Sequence, residues 1–358
     1  MKRRRTILAL AVGLLAFTAG SGVANGASLS YGVVPQTDLE ARDFRHMHRG
    51  GIDAVRIWFP WTVIDPVAPA GDYDFQSTDA IVADAARSRV RVLPFLFATP
   101  PWVATKLDHR GCGDCAVYAP TSPAALEAWA DFVRAAVERY GPGGEFWAEH
   151  PELRPHPIRA WQVWNEPNSR VFFAPRPGPR AYARVLRAAS RAVSSEDPRA
   201  KVILGGMAQL AGSRKAITGT TFLQRLYRIK GIQRRFDGVA VHPYGAQAAA
   251  AIDQVERFRA EARRARDPRS SLWVTEVGWS SAARGHPLNV GRHGQAQRLR
   301  TTFGYLRRNR GRLNVSGVFW YSWMDSTAPV CAWCKKSGLV RRGLRPKPAW
   351  RALRSLAR

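Results

Sequence analysis

Short apolar runs alternate with longer amphipathic stretches along nearly the whole chain, and this alternation is the feature that most constrains the fold. The runs are of strand length. The eight strand candidates are Ser30–Val34, Ala54–Phe59, Val90–Phe97, Ala160–Trp164, Lys201–Gly205, Gly238–His242, Leu272–Glu276 and Gly317–Trp320. Strands that alternate with helices in this way predict a parallel sheet with crossover helices.

The stretches between the strand candidates have the periodicity of helices with one buried face. Their apolar residues recur at intervals of three and four, as such a face requires. Examples are Ala124–Tyr140, Arg180–Ser195, Ala249–Arg266 and Arg292–Arg308. Pro123 and Pro179 fall at helix starts, where the missing N–H costs little.

Eight strand–helix repeats are the number that closes a barrel, so the sequence predicts a single-domain α/β protein with a (β/α)8 fold. The alternative is an open, doubly wound sheet. That fold would place a glycine-rich phosphate loop after its first strand, and the segment "YGVVPQTD" contains none. The barrel is therefore the preferred interpretation.

The first residues are typical of a signal peptide. A basic segment, Lys2–Arg5, precedes an apolar run from Thr6 to Phe17, followed by small residues. The run is short for a membrane span, which needs about 20 residues. We expect residues 1–27 to be removed, leaving 28–358 as the single domain of a secreted, extracellular protein.

The chain is strongly basic, with 55 Lys and Arg against 27 acidic residues and a net charge of +28. Such a balance is compatible with an anionic partner such as an acidic polysaccharide or the cell envelope. A bias of composition without a ligand is the favoured interpretation, since the basic residues are mostly arginines scattered over many helices. No motif with interleaved aromatic residues indicates nucleic-acid binding. We expect a monomer.

Four cysteines form two C-x-x-C pairs, Cys112 with Cys115 and Cys331 with Cys334. Zinc is the less favoured interpretation, because the two pairs are far apart in the chain. A secreted protein favours disulfides. We predict two local bridges within the loops Lys106–Pro120 and Val330–Gly338, although a cross-link between the pairs is the alternative.

Two carboxylates stand at the ends of predicted strands. Glu166 follows the fourth strand in "WQVWNEPN", and Glu276 ends the seventh in "WVTEVGW". The carboxyl ends of all barrel strands meet at one mouth, so the two groups can converge. A converging pair of carboxylic acids is what glycoside hydrolysis requires. For a lone glutamate we would favour a solvated loop residue or a salt bridge.

These segments resemble the signature strands of clan A glycoside hydrolases, the retaining (β/α)8 enzymes, with families 5 and 39 the most similar. The resemblance spans Arg56 to Trp320. It implies that Glu166 is the acid/base and Glu276 the nucleophile of a retaining β-glycosidase. A transglycosylase of the same fold and a non-catalytic carbohydrate-binding or envelope-associated barrel are the alternatives.

The resemblance also implies substrate-binding residues. Asn165 would bind the sugar 2-hydroxyl, and Arg56 would keep the nucleophile ionised, because a nearby positive charge lowers a carboxyl pKa. His242 and Tyr244 match the sixth-strand pair, with the tyrosine hydroxyl directed at the nucleophile. Trp320 would form the floor of the sugar subsite, with Trp323 as a rival.

Further tryptophans near strand ends, Trp102 and Trp279, are candidates for stacking on sugar rings, with core packing as the other interpretation. No histidine cluster suggests a metal site, and two carboxylates need neither a metal nor an organic cofactor. The sequence has no serine-hydrolase, zinc-protease or P-loop motif.

Overall fold

The computed structural model of the protein describes residues 29–67, 71–105, 115–210 and 215–357. The predicted signal peptide lies outside these ranges, as do Cys112 and much of the loop around it. Within the described residues, no helix is both long enough and apolar enough to cross a lipid bilayer.

The strands of the barrel are the eight that the alternation predicts, and each boundary lies within two residues of the predicted one. They are β1 Ser30–Val34, β2 Ala54–Pro60, β3 Arg91–Phe97, β4 Ala160–Val163, β5 Lys201–Leu204, β6 Gly238–His242, β7 Ser271–Val277 and β8 Val315–Tyr321. A two-residue strand, Met207–Ala208, adds to β6 near the mouth.

The strands are parallel and close on themselves. Neighbours in sequence pair from β1 to β8, with β5 joined to β6 through Ile203 and Gly238. Gly32 of β1 pairs with Ala54 of β2 on one side and with Phe319 of β8 on the other. No open edge remains among the eight strands, so the predicted (β/α)8 barrel is confirmed.

Helices connect the strands and surround the barrel. The described residues form α1 Ala41–Arg49, α2 Trp61–Ile64, α3 Gln76–Arg87, α4 Pro101–Thr105, α5 Pro123–Tyr140, α6 Glu145–Glu149, α7 Pro179–Glu196, α8 Gly219–Tyr227, α9 Ala248–Arg264, α10 Gly291–Arg308, α11 Arg310–Leu313 and α12 Pro348–Ala357. Ser122 caps α5 by accepting from the Ala125 N–H at 3.2 Å, directly before the proline that starts the helix.

The barrel interior is filled by large side chains set against glycines. Trp273 and Phe319 stack inside it with ring centroids 6.4 Å apart. A Cβ added at Gly32 would lie 2.2 Å from the Phe319 ring, so only glycine fits on β1 beside that ring. The interior is thus a packed core below the mouth, as in other barrels of this kind.

The alternation of side chains along β8 decides which aromatic residue reaches the mouth. Phe319 faces the barrel interior and Tyr321 follows it on the same face, because side chains two apart in a strand point the same way. Trp320 lies between them and points outward, where it packs against Trp279 and Phe303.

Basic residues occupy the last turns of many helices. Arg49 ends α1, Arg263 and Arg264 end α9, and Arg307 and Arg308 end α10. Positive charge at a helix C-terminus is favourable because the last carbonyls carry partial negative charge. Part of the high net charge is therefore accounted for by helix ends without any ligand.

Candidate active site

Four strand ends bring the predicted polar residues together at one mouth of the barrel. Each side chain is held by the strand that carries it or by the turn directly after that strand. The residues are Arg56 on β2, Asn165 and Glu166 after β4, His242 at the end of β6, Tyr244 two residues later, and Glu276 on β7.

The two carboxylates converge as the sequence predicts. Oxygens of Glu166 and Glu276 and a ring nitrogen of His242 all lie within 4.8 Å of one another. His242 Nδ1 is 2.9 Å from Glu166 Oε1 and 3.6 Å from Glu276 Oε2. Both glutamate side chains are 13% exposed, so each is held by the protein and still reaches the cleft.

Arg56 binds several of the site residues from the buried side of the cleft. Its side chain is 1% exposed, and Nη1 donates to Glu276 Oε1 at 2.6 Å. Nη2 donates to Asn165 Oδ1 at 2.8 Å, and Nε donates to Gln162 Oε1 at 2.6 Å. One guanidinium therefore joins β2, β4 and β7, and its Cζ atom lies 4.0 Å from the centroid of the Phe95 ring.

The surroundings of Glu276 favour its ionised form. Burial acts to raise the pKa of this carboxyl, but the charges of His242 and Arg56 and the hydrogen bonds from Tyr244 and Arg56 together lower the pKa below its usual value. The Tyr244 hydroxyl donates to Glu276 Oε2 at 2.8 Å. Burial and the charge of Glu276 raise the pKa of Tyr244, so the phenol keeps the proton that it donates.

Glu166 lies in a turn with an unusual backbone. Trp164 and Glu166 have φ values of 73° and 37°, in the left-handed region that favours glycine. The turn is held by its surroundings, since the Trp164 indole donates to the Phe172 carbonyl at 2.7 Å and the Glu166 N–H donates to the Gly206 carbonyl at 3.1 Å. Such strain is found at sites where position matters more than local stability.

Three residues that support the site were not foreseen from the sequence. Gln162 Nε2 donates to the Leu204 carbonyl at 3.0 Å and lies 3.3 Å from Thr275 Oγ1, which lies 3.0 Å from His242 Nε2. A Cβ at Gly206 would lie 1.9 Å from His242 Nε2. The sequence could have indicated these residues by their positions. Gln162 and Thr275 lie on the inward faces of strands, and Gly206 comes just after one.

The structure corrects the prediction that Trp320 and Trp279 contact sugar. Both side chains are fully buried, and their indole N–H groups donate to the carbonyls of Ser337 and Gly245. Trp323, the rival of Trp320, is also fully buried and donates to Asp43. A ring enclosed by protein has no face left for a ligand, so these three tryptophans are core residues.

Trp102 is only partly buried, and its role in stacking on a sugar ring stays a prediction. Its indole donates to the Asp65 carbonyl at 3.0 Å, and its ring packs on Trp61 with centroids 6.3 Å apart. Trp102 lies in the short helix α4, directly after β3, as its place in the sequence suggests.

Tyr321 takes the place at the mouth that was predicted for Trp320. It lies on the inward face of β8, and burial, with the negative charge of Glu276 adding to it, raises the pKa of its phenol. Trp333 lies against both site tyrosines, with ring centroids 5.3 Å from Tyr244 and 5.7 Å from Tyr321. Trp333 belongs to the "CAWC" segment, which the sequence marked only for its cysteines.

Cys331 and Cys334 form the predicted local disulfide, with Cα atoms 5.2 Å apart. The bridge encloses Trp333 and lies on the active-site side of the barrel. The companion bridge between Cys112 and Cys115 stays a prediction, because Cys112 lies outside the described residues.

Trp58 is another aromatic side chain at the mouth. It shares the inward face of β2 with Arg56, two residues away, and 46% of it is exposed. Its ring lies 6.5 Å from that of Phe97, which in turn lies 4.8 Å from that of Trp164 beside the Glu166 turn. No other aromatic side chain among the described residues is comparably exposed.

Glu166, His242 and Glu276 have donor atoms close enough to consider a metal ion. Both oxygens of Glu276 already accept hydrogen bonds, one from the Arg56 guanidinium and one from Tyr244. A cation at this point would face the positive charge of Arg56 at short range. The arrangement therefore fits a working carboxylate pair better than a metal centre.

The sequence and the fold were compared with known proteins. Residues 141–345 match the family described as glycosyl hydrolase catalytic core. No protein of curated function matches the chain.

Several solved structures share the fold at low sequence identity. A family 39 glycoside hydrolase from Bacteroides cellulosilyticus WH2 is 20% identical with a TM-score of 0.64. The match covers 92% of this chain and 63% of that chain. A monomeric β-xylosidase from Caulobacter crescentus CB15 is 18% identical with a TM-score of 0.67, covering 92% of this chain and 67% of its own.

A third similar structure is a variant family 5 enzyme, subfamily 18, from Streptomyces cattleya, in complex with mannosyl-β-1,4-N-acetylglucosamine. It is 19% identical with a TM-score of 0.66, and the match covers 92% of this chain and 80% of that one. The family match covers more than half of the chain, and the barrel carries two carboxylates at its mouth. The chain belongs to the glycosyl hydrolase catalytic core family and is a glycoside hydrolase.

Proposed function

We propose that the protein is a retaining β-glycosidase that acts by double displacement. The observation that carries the proposal is the short separation of the carboxylates, with one oxygen of Glu166 and one of Glu276 within 4.8 Å. Retaining enzymes hold the pair about 5–5.5 Å apart, whereas inverting enzymes leave about 6.5–9.5 Å for a water molecule.

Glu276 is the nucleophile in this proposal. Its lowered pKa keeps it ionised, and Arg56 and Tyr244 hold its two oxygens in place. In the first step an oxygen of Glu276 attacks the anomeric carbon of the sugar, and the bond to the leaving oxygen breaks. The product is a covalent glycosyl-enzyme with the inverted configuration.

Glu166 is the acid/base. It gives its proton to the leaving oxygen in the first step and takes a proton from water in the second, when the water displaces Glu276. His242, 2.9 Å away, fixes the orientation of the carboxyl. Two inversions restore the original configuration at the anomeric carbon.

Asn165 is placed to bind the sugar 2-hydroxyl. Arg56 donates to Asn165 Oδ1, which identifies that atom as the oxygen, since a guanidinium has no acceptor. Within the described residues Asn165 Nδ2 donates to no protein group, so the amide N–H groups are available to the substrate. A bond to the 2-hydroxyl strengthens in the transition state.

The substrate in this proposal is a β-linked oligo- or polysaccharide. The Caulobacter structure is named a β-xylosidase, and the Streptomyces structure holds a β-1,4-linked disaccharide. We therefore propose aryl β-xylosides, β-mannosides and β-glucosides as the first compounds to test. Secretion is also proposed, supported by the leader-like N-terminus and by the Cys331–Cys334 disulfide.

The test is a Glu276→Gln variant assayed beside the wild type. We expect kcat to fall by about 10⁴-fold, as for other lost catalytic groups. Azide should restore turnover to Glu276→Gly by entering the space of the carboxylate. In the wild-type reaction, proton NMR should show the β-anomer of the sugar as the first product. A first product of α configuration, or near-normal activity of Glu276→Gln, contradicts the mechanism.

A further inference from the structure

Trp333 is a tryptophan at the mouth that the proposed mechanism leaves without a role. Its ring lies in tilted contact with the two tyrosines that face the cleft, Tyr244 and Tyr321. Tyr244 in turn donates to Glu276, so only one side chain separates Trp333 from the carboxylate that attacks the sugar. Trp333 is partly exposed, unlike the fully buried Trp320 that precedes Tyr321 on β8.

The segment that carries Trp333 is fixed from both ends. The Cys331–Cys334 disulfide closes it, and a short 3₁₀ helix, Cys334–Lys336, follows directly. The Cys334 carbonyl accepts from Gln36 Nε2 at 3.1 Å and from Ser337 Oγ at 2.8 Å. While the bridge is intact, the backbone between these two cysteines cannot extend.

A second set of bonds holds the base of the segment to the barrel. Gln36 Nε2 also donates to Ser322 Oγ at 2.7 Å, directly after β8. The Ser337 carbonyl accepts from the indole of Trp320 at 3.0 Å and from Gln295 Nε2 at 3.1 Å. The bridge and these bonds therefore fix the ring of Trp333 relative to the strand that carries Tyr321.

The Tyr321 hydroxyl completes the surface below Trp333. Within the described residues it makes no hydrogen bond, and it is not among the enclosed polar atoms that lack a partner. It therefore opens toward the cleft, between the Trp333 ring and the carboxylates. An aromatic face beside a phenolic hydroxyl offers apolar contact and one hydrogen bond to the same ligand.

We propose that Trp333 is a specificity-determining residue that forms the wall of the subsite for the sugar attacked by Glu276, with its ring position set by the Cys331–Cys334 bridge. The ligand class is a pyranose with an apolar C–H face, which packs on the indole while Tyr321 binds a hydroxyl. This inference rests on the proposed function, since it takes Glu276 as the nucleophile. It extends the proposed substrate-binding site to a residue from a loop rather than from a barrel strand.

Trp333→Ala, Trp333→Phe and the loop control Lys335→Ala form the first experiment, on the aryl β-glycoside that the wild type cleaves best. Lys335 is exposed on the same loop, and within the described residues its side chain makes no hydrogen bond or ion pair. Trp333→Ala should raise KM about tenfold, the effect of one lost aromatic contact, while kcat stays within about twofold. Trp333→Phe should recover part of the loss, and Lys335→Ala should match the wild type.

The Cys331→Ser/Cys334→Ser double variant tests the bridge. It keeps Trp333 but frees the segment, so KM should rise in the same direction as in Trp333→Ala. Adding Trp333→Ala to the double variant should then raise KM by less than it does in the wild type, because the two changes remove the same contact.

Protection of the ring provides a measurement on the unaltered protein. The monosaccharide product at saturating concentration should slow oxidation of Trp333 by N-bromosuccinimide, read by peptide mapping, and this holds even if Trp333→Ala fails to fold. An unprotected Trp333, or a normal KM for a folded Trp333→Ala, overturns the inference. The proposed function fails separately, through an active Glu276→Gln.

Discussion

Arg56 donates to Glu276 at 2.6 Å from a position that is 1% exposed, so each buried charge has the other as a direct partner. A buried guanidinium without a partner is costly, and so is a buried carboxylate. The same guanidinium also donates to Asn165 and Gln162, so it holds three side chains in fixed positions. Arg56 therefore ties the nucleophile to β4, while His242 and Tyr244 act on the same carboxylate from β6 and the residues after it.

Arg56→Lys should lower kcat/KM by about 100-fold, although it keeps the charge, because an ammonium group has no planar fork to reach three acceptors. Asn165 and Glu276 should both lose their fixed positions. Steady-state kinetics on an aryl glycoside measures the loss. Arg91→Lys is the matched control, since Arg91 pairs with Asp53 at the opposite end of the barrel. Equal activity of the two variants would contradict the role of Arg56.

Tyr244→Phe should move the acid limb of the kcat/KM profile to higher pH. Burial raises the pKa of Glu276, and the neighbouring charges and hydrogen bonds overcome that effect and lower the pKa below 4.5. Removing one of those hydrogen bonds raises it again, so Glu276 becomes protonated at a higher pH. In the wild type the limb should therefore lie below pH 4.5, where the ionised form is lost as the pH falls.

The same variant should lose about tenfold or more in kcat/KM at neutral pH, as expected for a hydrogen bond to a charged group. A pH series from 3 to 8 separates the two effects, since only the shift of the limb reports the ionisation of Glu276. A limb that stays in place would show that Tyr244 does not set that ionisation.

Gly206→Ala should displace His242, because the new Cβ would lie 1.9 Å from its ring nitrogen. We expect a loss of about 1–3 kcal/mol in the free energy of unfolding, the usual cost of overpacking, and a larger loss of activity. Urea denaturation and kinetics measure the two. Gly311→Ala is the control, because no atom lies within 4 Å of its added Cβ.

Lys347→Met should lower the free energy of unfolding by about 3–5 kcal/mol. Lys347 is 2% exposed and donates to Asp325 at 2.6 Å, to Ser281 at 2.9 Å and to the Lys336 carbonyl at 3.0 Å. Removing the lysine leaves Asp325 charged without its partner. Adding Asp325→Asn should recover part of the loss in urea denaturation, and a double variant as unstable as Lys347→Met would exclude this cause.

Trp58→Ala should raise KM for oligosaccharides about tenfold while leaving KM for an aryl monoside near the wild-type value. Its exposed ring at the mouth lies beyond the residues that touch the carboxylates, so it can serve only a ligand longer than one sugar. Val63→Ala, which changes another exposed apolar residue after β2, is the control. Equal effects on short and long substrates would contradict the prediction.

The barrel could be predicted because its signal is repeated eight times, and local errors of one or two residues do not change the count. Glu166 and Glu276 could be placed because a strand end is a position in the sequence. The aromatic residue at the end of β8 could not, since an error of one residue exchanges Trp320 for Tyr321 and turns an inward face into an outward one. The position of Trp333 could not be predicted either, because it depends on how its loop folds back toward the barrel mouth.

The partners of the two carboxylates come from strands or from residues just beyond them, whereas Trp333 comes from a cross-linked loop. The proposed subsite wall therefore belongs to a different part of the chain from the carboxylates and their partners. On this proposal, changes between Cys331 and Cys334 would alter which sugars are accepted while leaving the hydrogen bonds of Arg56 and Tyr244 to Glu276 in place. For an engineer, that short segment is the place to vary, with the barrel left untouched.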